Sequence, residues 1–100
     1  MSLGSIEVAA GELRLSGVLD YRTGARLREQ GAKLIGQLPA AQVIVDCSAV
    51  QSANSVGVSL LLALSRDAKK AGKAFSIRAL PQELSQIAEV CGIDGLLSRA

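Results

Sequence analysis

The sequence predicts an α/β fold: a mixed, mostly parallel sheet of four to five strands, opened by an N-terminal antiparallel hairpin and accompanied by three to four helices. Three observations carry this. Strand-like apolar runs alternate with amphipathic helix-like stretches along most of the chain, the pattern that builds parallel sheets through crossover helices. The first two runs are separated only by Gly11-Glu12, too little chain for a crossover, so they pair antiparallel. Finally, 49% of the residues are apolar but only Tyr21 and Phe75 are aromatic, so the core is built from Leu, Ile, Val and Ala, which favours helices laid on a sheet. The 100 residues are read as one domain, 1–100.

Residues Ile6 to Ala10 and Leu13 to Val18 form the hairpin, with Leu13, Leu15 and Gly17 on one face and Arg14 and Ser16 on the other. Leu19-Asp20-Tyr21 ends the second strand, and Asp20 or Thr23 can cap the helix that follows. That helix spans Arg22 to Gln37, with Ala25, Leu27, Ala32, Leu34, Ile35 and Leu38 turned inward; Gly24, Gly31 and Gly36 weaken it. Leu38-Pro39 stops it. The β-branched run Val43-Ile44-Val45 then reads as a buried strand from Gln42 to Asp46.

The next helix is read over Val58 to Ala71. Val58, Leu61, Leu62, Ser65 and Ala68 form its inner face, widened by Leu60, Leu64 and Ala71, while Arg66, Asp67, Lys69, Lys70 and Lys73 mark its solvated side. Gly72 stops it. Phe75, Ile77 and Ala79 alternate along a fourth strand, Ala74 to Ala79. Pro81 opens a third helix whose inner face is Leu84, Ile87, Ala88 and Cys91, ended by Gly92, and Ile93 to Leu97 packs as a last strand or helical turn.

The stretch from Asp46 to Gly57 is the centre of interest. It joins a buried strand to a helix through the small polar cluster Ser52-Ala53-Asn54-Ser55, where the first free N–H groups of the helix point outward. Asn54 or Ser55 can accept a hydrogen bond from those groups as an ordinary cap, and a hydroxyl there is also well placed to carry a phosphate. Gly57 lets either a partner's backbone or the underlying strand approach closely.

Little else in the chain carries chemistry. Without histidine, Ser-His-Asp and Cys-His catalysis are excluded, the carboxylates form no pair in sequence, and no phosphate-binding glycine loop is present. Cys47 and Cys91 lie far apart with no histidine to join them, so they are expected to be buried thiols and no metal site is expected. A non-enzymatic protein without cofactor follows. The charge of +2, from 11 Lys and Arg against 9 Asp and Glu, and the scarcity of aromatic residues argue against a nucleic-acid partner. No basic-plus-apolar leader and no apolar run long enough to cross a bilayer is present, so a cytoplasmic location is expected.

These residues resemble the STAS-domain family (sulfate transporter and anti-sigma factor antagonist). The family's pattern is a strand ending in Asp, a Val, and then Asp-Ser-Ser-Gly or Asp-Thr-Gly-Gly opening a Leu-rich helix. Here it reads Asp46, Val50, Asn54-Ser55-Val56-Gly57, Leu60-Leu61-Leu62, Lys69-Lys70 and Gly72, preceded by Leu15-Ser16-Gly17 with Leu19-Asp20 and followed by Gly92-Ile93. The chain departs from the pattern in Asn54, where the family has Asp, and Val56, where a second Ser or a Gly is common.

The resemblance is strongest to members that serve as cytoplasmic subunits of ABC-type phospholipid transporters. It implies docking on the transporter ATPase through Ser52, Asn54, Ser55, Val56, Gly57 and Ser59, at the inner face of the inner membrane. The alternative it implies is an anti-sigma factor antagonist, with Ser55 phosphorylated by an anti-sigma factor kinase. Nucleotide binding at the same turn is a third reading.

Overall fold

The chain is described by a computed structural model over residues 3–39 and 41–90. The first strand, β1 (Ser5–Ala9), turns back on β2 (Glu12–Leu19). Ala9 faces Glu12, so the loop is the pair Ala10-Gly11, one residue earlier than the sequence suggested. Both loop residues have positive φ, 53° and 78°, the tight hairpin turn whose twist matches that of the strands.

Helix α1 (Gly24–Gln37) starts two residues later than expected, because Asp20 organises the chain ahead of it. The Asp20 carboxylate accepts from the Arg22 backbone N–H at 2.9 Å and grips the Arg22 guanidinium at 2.7 Å, while its carbonyl accepts from the Gly24 N–H at 3.1 Å. Thr23 occupies the cap position but its side chain makes no capping bond. On the inward face, Leu27, Gly31 and Ile35 are buried, whereas Ala25, expected there, is exposed. Gly31 is thus a packing residue rather than a weakness: a Cβ there would collide with Cδ2 of Leu64.

The largest departure is β3 (Gln42–Ala53), which does not end at Asp46. Residues 47–53 are too small and polar to read as strand, but β2 supplies a partner: Ser16 pairs with Ala49, Gly17 with Val50, Val18 with Ser52 and Leu19 with Ala53. Register shifts between Arg14 and Ser16 and between Gly17 and Val18 absorb the irregularity, helped by Gly17 at φ 79°. Helix α2 (Ser55–Lys70) then begins at once, three residues ahead of the expected start. Its buried face is Gly57, Val58, Leu60, Leu61, Ala63, Leu64 and Ala68; Ala71 is exposed.

Lys73 is not on the solvated side of that helix. Its Nζ donates to the carbonyl of Ile35 at 2.6 Å and to that of Leu38, capping the C-terminus of α1 with a cation. Strand β4 (Ala74–Arg78) stops one residue short of Ala79, whose φ of 58° breaks the extended run. Helix α3 (Gln82–Val90) follows Pro81, whose carbonyl accepts from the Ser85 N–H at 3.0 Å; Leu84 is buried and Ile87 half-buried. Cys91, Gly92 and the expected Ile93–Leu97 tail lie outside the described residues, as does the environment of the Ala88 side chain.

The described sheet has four strands in the order β1-β2-β3-β4, with the hairpin antiparallel and both later pairs parallel, as expected. The two crossovers step in the same direction across the sheet, which places α1 and α2 side by side on one face. Between them and the sheet lies one aliphatic core, including Leu13, Leu15, Val43, Val45, Ile77, Leu61 and Leu64. On the other face the register sets Arg14, Asp46 and Arg78 abreast on β2, β3 and β4.

Candidate functional site

The strand-to-helix turn is built by Asn54. Its backbone is extended (φ −127°, ψ −161°), and its side-chain Oδ1 accepts from the Val56 N–H at 2.9 Å, so of the two candidate caps it is Asn54 that acts. Its carbonyl also accepts from the Gly57 N–H at 2.9 Å. Replacing Asn54 with alanine is expected to cost about 1 kcal/mol of stability, measurable as a lower urea midpoint. Asn54→Asp should retain that stability, since either side chain can cap.

The cap frees Ser55 to stand as the first residue of α2, exposed to solvent. Ser59, one helical turn on, is exposed on the same side. Ser52 at the end of β3 and Val56 are half-buried, and Gly57 is buried. No acidic residue lies in the first turn of α2, leaving the positive end of the helix uncompensated.

The turn borders two hollows. One, of about 210 Å³, is lined by Tyr21, Gly24, Ala25 and Arg28 on the α1 side and by Val56, Ser59 and Leu60 on α2. The other, of about 230 Å³, lies between Val50-Gln51-Ser52 and Pro81-Gln82-Glu83. Both fall below the roughly 300–1,000 Å³ of small-molecule sites, a size that suits side chains of another polypeptide better than a nucleotide.

Tyr21, Gly24, Ala25, Arg28 and Leu60 were not anticipated as neighbours of the turn. One signal was available: Tyr21 is one of two aromatic residues in the chain, and it sits between the ends of the Asp20–Arg22 clamp. Its side chain is left 82% exposed.

Chemistry elsewhere is muted. Cys47 is buried under the sheet, and burial, with the adjacent Asp46 charge, pushes its thiol up to about 12, so it stays protonated and unreactive. Asp46 is itself buried and fully engaged: its Oδ1 accepts from the Ser48 N–H at 2.9 Å and its Oδ2 from Arg78 at 3.1 Å, with Arg14 at 3.7 Å. It is a structural carboxylate, remote in role from the exposed serine.

Residues 4–98 match a family model described as Mlab, STAS domain. Several solved structures share the fold. The anti-sigma factor antagonist SpoIIAA in its unphosphorylated form superposes with a TM-score of 0.72 at 19% identity, over 98% of this chain and 88% of that one. An anti-sigma factor antagonist from Mycobacterium paratuberculosis gives 0.74 at 22%, covering 95% and 81%. The phosphorylated form of the Bacillus cell fate determinant SpoIIAA gives 0.68 at 19%, covering 98% and 91%.

Proposed function

We propose that this chain, which belongs to the Mlab STAS-domain family, is a non-enzymatic accessory subunit that docks on the ATPase of an ABC-type phospholipid transporter. STAS domains are in general binding modules without catalytic activity. The observation that carries the reading here is Ser55, exposed at the head of α2 and followed by Val56 and Ser59, which line a groove of side-chain size. The choice of an ATPase as partner follows from the resemblance to MlaB, the cytoplasmic subunit of such a transporter. In this role the chain is cytoplasmic and held at the inner face of the inner membrane through its partner; no described helix is long and apolar enough to cross a membrane.

Ser55→Glu is the direct test. A carboxylate in the first turn of α2 favours the helix by about 0.3–1 kcal/mol, so the variant should fold at least as well as the parent. Its capture of the purified ATPase is expected to fall at least about tenfold, because a desolvated unpaired charge in an interface costs more than 1.4 kcal/mol. Undiminished capture would overturn the docking reading.

A second reading is favoured by the same exposed hydroxyl: an anti-sigma factor antagonist switched by phosphorylation of Ser55. A phosphate there would sit at an uncompensated helix N-terminus, where it is stabilised. Intact-mass measurement after incubation with a cognate kinase decides it, since a phosphate-sized gain that disappears in Ser55→Ala supports the switch.

A further inference from the structure

We infer that the groove between the heads of α1 and α2 is a socket for one apolar side chain of the docking ATPase, with Tyr21 as its wall and Arg28 holding an adjacent carboxylate of that partner. The inference rests on the docking reading above and extends the contact surface onto α1, beyond the residues of the Ser55 turn.

The socket exists because small residues floor it. Gly24 carries no side chain, and a Cβ there would lie 2.9 Å from Cγ1 of Val56, so the two helix heads come as close as a glycine permits. Ala25, exposed on α1, leaves the space above Val56 and Leu60 unfilled. At about 210 Å³ the hollow has room for one large side chain rather than a small-molecule ligand. Tyr21 on its rim is 82% exposed, more than the other exposed large apolar residues among those described, Leu3 and Val8. A rigid aromatic ring beside an apolar hollow gains apolar burial at little entropic cost when covered, which is why tyrosines recur among the dominant residues of interfaces.

Charge selects what comes with the apolar side chain. The head of α1 is already served by Asp20, but α2 has no acidic residue in its first turn and presents an uncompensated positive end beside the groove. The Arg28 guanidinium on the wall is half-exposed, and Asp67 meets it only at 3.8 Å. Arg22, by contrast, is held at 2.7 Å by Asp20. An incoming carboxylate therefore finds in the groove a half-exposed Arg28 whose ion pair with Asp67 is long, next to the uncompensated start of α2. A second copy of this chain would present the same positive face to itself, which argues for a different polypeptide.

Affinity for the purified ATPase, measured by interferometry with the full chain, tests the socket. Tyr21→Ala is expected to weaken binding about thirtyfold, as loss of an aromatic anchor does. Arg28→Glu should weaken it about tenfold and flatten its salt dependence. Ala25→Leu plugs the socket without removing any contact, on an exposed helix position where leucine is well tolerated, and should cost about tenfold with an unchanged thermal midpoint. If Ser55→Glu abolishes binding while these three stay within about twofold, the socket is wrong and docking through the turn stands. If wild-type chain fails to bind the ATPase at all, the functional reading falls and takes the socket with it. Weakening by Tyr21→Ala alone, with Ala25→Leu neutral, would also overturn the socket, since an occupied hollow cannot accommodate the leucine.

Discussion

Truncating Leu64 to alanine is expected to destabilise the fold by about 2–5 kcal/mol, the range for a fully buried leucine whose neighbours cannot collapse into the space. Leu64 is wholly excluded from solvent, and its Cδ2 lies over Gly31, where α1 and α2 meet. The same contact makes a more discriminating prediction. In the wild-type chain Gly31→Ala should destabilise by about 1 kcal/mol, because the new methyl must displace a buried side chain and overpacking outweighs the gain in helix propensity. In the Leu64→Ala background the methyl enters vacated space, with Ile6 Cδ1 at 3.3 Å as its nearest remaining neighbour. There Gly31→Ala should instead stabilise by about 1 kcal/mol, giving a coupling of about 2 kcal/mol between the sites. Urea midpoints of the four variants measure the cycle; additive effects would mean that Gly31 is merely a tolerated glycine.

That glycine also shows where the sequence was legible and where it was not. Leu27 and Ile35, Leu61 and Leu64, and Val43 and Val45 announce themselves by spacing, because a periodic apolar face is a local property of the chain. Gly31 lies on the same helical face as Leu27 and Ile35, yet its absence of a side chain gains meaning only when α2 is laid across it. The second half of β3 was invisible for a similar reason: Ser48 to Ala53 has little strand character of its own and is held extended by β2. Lys73 read as a solvated cation until the end of α1 arrived beneath it.

The candidate site divides along the same line. An exposed serine at a helix head follows from local order, strand then cap then helix, so the positions of Asn54 and Ser55 were legible. The groove beside them depends on which residues of α1 face α2, a tertiary fact, and so Tyr21 and Arg28 were not. The surface around the turn thus mixes residues that a local pattern reveals with residues that only the packing of two helices brings together.

Asp46→Asn is expected to cost about 1–3 kcal/mol at neutral pH and, more tellingly, to remove a specific component of the acid sensitivity. The Asp46 carboxyl is held below its usual range first by the hydrogen bonds from Ser48 and then by the Arg78 charge, which together outweigh its burial. A carboxylate lowered in the folded state contributes stability that is fully present above its unfolded value of about 3.9 and is lost as pH falls through its folded value. The wild-type chain should therefore lose its advantage over Asp46→Asn progressively below about pH 4, with the two curves converging in stronger acid. An asparagine keeps the shape and can still accept from Ser48, so the difference isolates the charge, whereas Asp46→Ala removes both and should be the more damaging. The cost stays below the roughly 3–5 kcal/mol of a broken buried pair, because the stranded cations, Arg14 and Arg78, are half-exposed and Arg78 keeps Glu12 at 2.7 Å. Stability curves for wild-type and Asp46→Asn chains that run parallel from pH 7 to pH 3 would show that the Asp46 carboxylate between Arg14 and Arg78 contributes nothing through its charge.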